Sequence, residues 1–280
     1  MSDLHDSLAR ALELGDLQDW TAMAEHLREM LDAHPQEPAV LCWLGVAEQE
    51  LGLDGVAYER YQQCVAAGPQ DAYVLATAGA GLARFDDPDA ESTLRAAAIM
   101  APDLAFARCM YGAYLAREGL SAEALVELDE AVALAPDDPD VHLERGVALA
   151  LADRMGEAIE SFWSAWEADP GDGWPRLLGG LVELEADRPE DALAHLVTAC
   201  DMRPEDTEAL LLAALCSSIV GDENRAYEMV ERARMAAADG DPALVDEAAD
   251  RIDAGPDSAH AHLMDTILPG ALRERLMIRP

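Results

Sequence analysis

Six prolines, Pro35, Pro69, Pro102, Pro136, Pro170 and Pro204, recur at spacings of 34, 33, 34, 34 and 34 residues. A period kept over so many copies restricts the chain to tandem packing of one supersecondary unit, because every copy must present the same faces to its neighbours. Twelve residues before the last five of these prolines stand Ala57, Ala90, Ala124, Ala158 and Ala192, and five before them stand Cys64, Ala97, Ala131, Ala165 and Ala199. Between the two small residues, eight before each proline, comes a large apolar side chain: Tyr61, Leu94, Leu128, Phe162 or Leu196. Small and large residues one helical turn apart make a helix face that another helix crosses closely. Twenty-four before the prolines, Gly45, Ala78, Gly112, Gly146 and Gly180 mark an earlier helix whose minimal side chain admits that partner.

Acids follow the prolines within three residues, at Asp71, Asp103, Asp137, Asp172 and Asp206, and suit helix N-termini. Turns inside each period carry Gly, Asp or Pro, as in Phe85-Asp86-Asp87-Pro88-Asp89 and Asp187-Arg188-Pro189. One period thus holds two helices of roughly a dozen residues, neither able to bury its apolar face alone. The pattern degrades at both ends. Met23, Leu27 and Met30 replace the small-large-small set, with Gly15-Asp16 displaced. Ala226, Val230 and Ala233 keep the set, but Ala238 stands where a proline is due, and the helix is expected to break at Asp239-Gly240-Asp241-Pro242. Further helices are expected around residues 243–254, 257–268 and 270–278, the last amphipathic and locally basic through Arg273, Arg275 and Arg279.

In period and in the order of its small, large and proline positions, the sequence resembles the tetratricopeptide repeat, a helix-turn-helix unit. The resemblance implies an all-α fold, a right-handed superhelical solenoid with C-terminal capping helices. It divides the chain into a degenerate N-terminal repeat or cap (1–37), six repeats (38–238), and capping helices with a basic amphipathic tail (239–280). It also implies that the first helix of each repeat lines a concave groove. In that register the groove residues are Cys42, Val46, Leu75, Leu82, Phe106, Cys109, Leu143, Val147, Leu151, Trp174, Leu177, Leu181, Leu184, Leu211 and Leu215. The set is apolar. Arg108, Arg117 and Arg145 lie on first helices without the accompanying Asn of a carboxylate clamp. Packing between repeats is the alternative role for each of these residues, and Phe106 and Trp174 are the best candidates to anchor a partner.

Composition narrows the function. Fifty-six acidic residues oppose 19 basic ones, for a formal charge of -37, which disfavours nucleic acid and anionic membrane surfaces. All 19 basic residues are arginine. Without lysine, phosphate-loop ATPases and Schiff-base enzymes are excluded. A GC-rich genome, a salt-rich cytoplasm or evasion of lysine-directed modification would each account for that absence. Cys42, Cys64, Cys109, Cys200 and Cys216 form no CxxC pair and read as buried residues of a reducing compartment. The N-terminus lacks a secretion signal and no run reaches membrane-spanning length, so the expected location is cytoplasmic.

No nucleophile, base and orienting group come together. His260 and His262 diverge on a helix, and His195 with Cys200 lacks an orienting acid, so neither a metal nor a catalytic dyad is expected, and no cofactor. The acid clusters at 86–89 and 137–140 read as caps and not as Ca²⁺ ligands. The expected function is non-catalytic: a scaffold or adaptor holding an amphipathic or apolar partner segment, basic at its flanks, in an apolar groove with an acidic rim. A dedicated chaperone for a client protein, a regulatory subunit of a modifying enzyme and homodimerisation through the groove are the alternatives.

Overall fold

In the computed structural model, residues 2–237 and 242–278 are described. They form seventeen α-helices, one π-helical turn and no strand. The chain divides into two compact units, one ending at Ala135 and the other Pro136–Ile278.

The N-terminal unit holds four antiparallel pairs: α1 (Ser2–Asp16) with α2 (Trp20–Ala33), α3 (Pro38–Glu50) with α4 (Asp54–Ala66), α5 (Ala72–Arg84) with α6 (Ala90–Met100), and α7 (Ala105–Arg117) with α8 (Ser121–Leu134). The C-terminal unit holds three: α9 (Pro139–Leu151) with α10 (Met155–Ala168), α11 (Trp174–Glu185) with α12 (Pro189–Met202), and α13 (Thr207–Ile219) with α14 (Glu223–Ala236). After them come α15 (Pro242–Asp253), α16 (Pro256–His262), the π turn Leu263–Ile267 and α17 (Ala271–Leu276). Of the break expected at Asp239-Gly240-Asp241-Pro242, residues 239–241 lie outside the described residues, and Pro242 opens α15.

Each pair closes where the sequence is smallest. A Cβ built on Gly146 of α9 would lie 2.5 Å from the Phe162 ring of α10, and one on Gly112 of α7 would lie 2.6 Å from Leu128 of α8. Both partners are buried, as are all five alanines that precede the large residue by one turn. Packing at this density leaves no room for an added methyl group without displacing the neighbour.

The turn inside every pair places one residue in the left-handed region: Gln18, Gly52, Asp86, Gly119, Asp153, Asp187 and Gly221. Asp and Gln tolerate that geometry at a cost that glycine avoids. Asp19, Asp71, Asp138, Asp206 and Asp222 cap α2, α5, α9, α13 and α14 by accepting backbone N–H bonds. The α9 cap falls one residue after the Asp137 expected from sequence. At α7 the cap position belongs to Leu104, with no side-chain bond, and not to Asp103.

Polar ties join successive pairs in the N-terminal unit. Buried Glu48 of α3 accepts from Arg28 of α2 at 2.8 Å and from Arg60 of α4 at 3.4 Å. Asp87 accepts from the Tyr58 hydroxyl at 2.6 Å and from Gln62 at 3.1 Å, and these bonds to its charged form hold its pKa below the usual carboxylate value.

Two glycines in one helix pair give opposite expectations. Gly146→Ala forces the Phe162 ring aside and should cost about 1–3 kcal/mol. Gly156→Ala, on α10 with open space around the new Cβ, should stabilise by about 0.5 kcal/mol. Urea denaturation of the two variants beside the parent checks both signs.

Candidate functional site

First helices lie side by side in the N-terminal unit, α1 on α3, α3 on α5 and α5 on α7. Three aromatic side chains run across them: Trp43 of α3, Tyr73 of α5 and Phe106 of α7. The Trp43 and Tyr73 rings are 6.0 Å apart and tilted, and Tyr73 stacks on Phe106 at 4.3 Å with an interplanar angle of 17°. Tyr73 is 40% exposed, while Trp43 and Phe106 are half-buried. Beside this row opens a cleft of about 650 Å³, walled by Leu8 and Leu12 of α1, Trp20 of α2, Val46 of α3 and Val74 of α5. Asp16 and Asp71 stand at its edge. An apolar cleft of this size can take up an apolar side chain.

Beneath the row, Cys42, Leu75, Leu82 and Cys109 are buried and serve as packing between helices; the Cys42 thiol lies 3.5 Å from the Val74 carbonyl. Of the groove positions read from the repeat register in this unit, Val46 and Phe106 reach the surface. Trp43 and Tyr73 were not singled out by that register. They occupy different positions in successive repeats, so only the crossing of α3 and α5 brings their rings together.

In the C-terminal unit the same face is covered. Every residue from Pro175 to Leu184 of α11 and from Ala209 to Ser218 of α13 is buried. α17 packs on α9 and α11, and α16 packs on α13. Leu177, Leu181, Leu184, Leu211, Leu215 and Val147 therefore lie inside the unit, with Leu143, Leu151 and Trp174 half-buried. Trp174, expected from sequence as an anchor, carries the Arg203 guanidinium 5.2 Å above its ring.

The nucleophilic groups are masked. All five cysteines are buried, and burial pushes the thiols of Cys200 and Cys216 up to about 12, so both are protonated at neutral pH. His260 pairs with Asp187 at 2.8 Å, and His262 is buried 3.8 Å from Glu247. Among the described residues no three His, Cys, Asp or Glu side chains cluster as a metal site, and no helix is long and apolar enough to cross a membrane.

No protein-family model matches the chain, and no curated protein matches it in sequence. Solved structures do match. The C-terminal part of a TPR repeat-containing protein from Cytophaga hutchinsonii is 15% identical over 85% of this chain and 98% of its own, with a TM-score of 0.52. The fold is the tetratricopeptide repeat. PilF of Pseudomonas aeruginosa shares that fold with this chain at a TM-score of 0.59, with 17% identity over 76% of this chain and 97% of its own. The Cut9–Hcn1 hetero-tetramer of the APC/C gives 0.66, with 16% identity over 88% of this chain, which spans 48% of the matched one.

One titration is built into the tetratricopeptide stack of the C-terminal unit. Arg176 of α11 lies 4.9 Å and 5.0 Å from the Trp163 and Trp166 rings of α10 and donates to the Ala194 carbonyl of α12 at 3.2 Å. His195, next along α12, lies over Gly179. Burial, reinforced by the Arg176 charge and opposed by Asp191, pushes its pKa down to about 4 from an ordinary 6.5. The unfolded chain binds the extra proton between those values, so the His195 contribution to stability falls as pH drops from about 6.5 towards 4. The unfolding midpoint of the parent, measured relative to His195→Gln, should therefore decline between pH 7 and pH 5.

Proposed function

We propose that the protein is a non-catalytic interaction scaffold that holds an amphipathic partner segment on the first-helix face of its N-terminal unit. A scaffold for other proteins is the general role supported by the tetratricopeptide fold. The observation that carries the finer reading is the aromatic row Trp43, Tyr73 and Phe106 beside an unfilled apolar cleft. Large aromatics that keep part of their surface in water while resting on a rigid helix lose little conformational entropy when a partner covers them.

Charge selects the partner. With a net charge of -37 and acids at the cleft edge, a segment flanked by arginine or lysine is drawn in and an acidic one is repelled. The ligand is then a short helix or strand with apolar side chains on one face and basic flanks. On this reading the protein works in solution in the cytoplasm, and a chaperone role is the same binding chemistry applied to an unfolded client.

A designed amphipathic peptide with leucines at helical spacing and arginine flanks provides the probe. Calorimetric titration should show saturable binding that Trp43→Ala or Tyr73→Asp weakens by roughly 10-fold or more, a hot-spot loss above about 1.4 kcal/mol, with helicity unchanged. Raising salt from 0.1 M to 1 M should weaken binding further. Binding indifferent to both substitutions would place the ligand elsewhere.

A further inference from the structure

The chain's last described helix lies on the first helices of the C-terminal unit. α17 is six residues long, and a helix that short has almost no helical stability of its own in water. Its helical form therefore depends on the surface beneath it. That surface is the first-helix side of the C-terminal unit, since α17 packs on α9 and α11 and not on their second-helix partners α10 and α12 to any comparable extent.

The contact has the chemistry of a bound peptide. Leu272 and Leu276, one turn apart, are buried at 4% and 3% exposure, together with Ala271. Arg273 and Glu274 face solvent between them. Arg275 forms an ion pair with Glu208 in the first turn of α13, its own side chain being only 13% exposed. Gly270, at φ +90°, supplies the left-handed turn that redirects the chain after the π turn. Apolar side chains at i and i+4 with an arginine set against a groove carboxylate constitute the helix-in-groove mode of recognition.

We propose that the first-helix face of the C-terminal unit is a second peptide-binding site, specific for an arginine-bearing amphipathic helix, and that residues 271–278 occupy it in cis as a displaceable internal ligand. Tethering explains how so short a helix stays bound: a short linker supplies an effective concentration on the order of millimolar, so weak intrinsic affinity suffices. An external helix carrying the same Leu, Arg and Leu spacing over more turns keeps more helix of its own and displaces the tail. The site then opens only to partners strong enough to outcompete it. This inference does not rest on the open cleft of the N-terminal unit, and its test is arranged so that the two fail separately.

A chain ending at residue 268, carrying Trp43→Ala and Tyr73→Ala so that the N-terminal cleft contributes nothing, is titrated with a fluorescein-labelled peptide of residues 269–280. The expected result is saturable one-to-one binding, at least 10-fold tighter than binding to the full-length chain with the same two substitutions. Adding Glu208→Arg to the shortened chain should lower affinity by 10-fold or more, and a peptide with Arg275→Glu should recover part of the loss. Binding to the full-length chain as tight as to the shortened one, or no binding to a shortened chain that retains its helicity, overturns the proposal. Hydrogen exchange on the intact protein decides the matter even if the shortened chain does not fold. Amides of residues 271–278 should open at least 100-fold more often than those of Leu177–Leu184, whereas equal protection would make α17 permanent core.

Discussion

The whole architecture depends on how closely the two helices of a pair approach. Where Gly112 faces Leu128 and Gly146 faces Phe162, the large side chain occupies the volume that a Cβ would take. This contact is repeated at nearly the same spacing through the chain, and it fixes the angle at which each pair presents its first helix. Shift that angle and the first helices no longer lie against one another, so the aromatic row across α3, α5 and α7 has no platform. The most buried feature of a repeat thus sets the geometry of its most exposed one.

Charge acts on a different scale. A chain with 56 acidic side chains stores considerable self-repulsion, and local arrangements offset part of it. Some acids serve as helix caps, at Asp71, Asp138 and Asp206, where the helix N-terminus favours them. Others are drawn into ion pairs, as Glu48 is between Arg28 and Arg60 and as Glu208 is with Arg275. The remainder define a negative field through which any partner must pass, and the tail of the chain is one of the few segments able to lie in it comfortably.

The fold was legible because the repeat writes it several times over. One helix with Ala158, Phe162 and Ala165 is ambiguous; the same triplet at Ala124, Leu128 and Ala131 and at Ala192, Leu196 and Ala199 is not. The C-terminal helices begin and end within a few residues of the expected ranges, although 257–268 divides into α16 and the π turn. The site was less so. Register identifies which residues lie on a first helix, but whether such a residue meets water depends on what packs over it. Leu181 and Val46 occupy the same repeat position, 23 residues before the proline; one is sealed in the core and the other walls a cleft. No periodicity reports that difference, because the covering segment, α17, comes from outside the repeat. Trp43 and Tyr73 are not marked by the period for the converse reason: neither recurs, and the tilted ring contact between them is a property of two helices and not of either sequence.

The distribution of cysteine has a practical reach of its own. Three thiols are sealed in the N-terminal unit and two in the C-terminal unit, each beyond the reach of solvent in the folded state. Because the chain contains no lysine, its side chains offer no competing primary amine. A thiol reagent therefore modifies the protein only as a unit opens, and peptide mapping of the adducts separates Cys42, Cys64 and Cys109 from Cys200 and Cys216. The chain carries its own pair of chemical clocks, one for the breathing of each unit, without the introduction of any label.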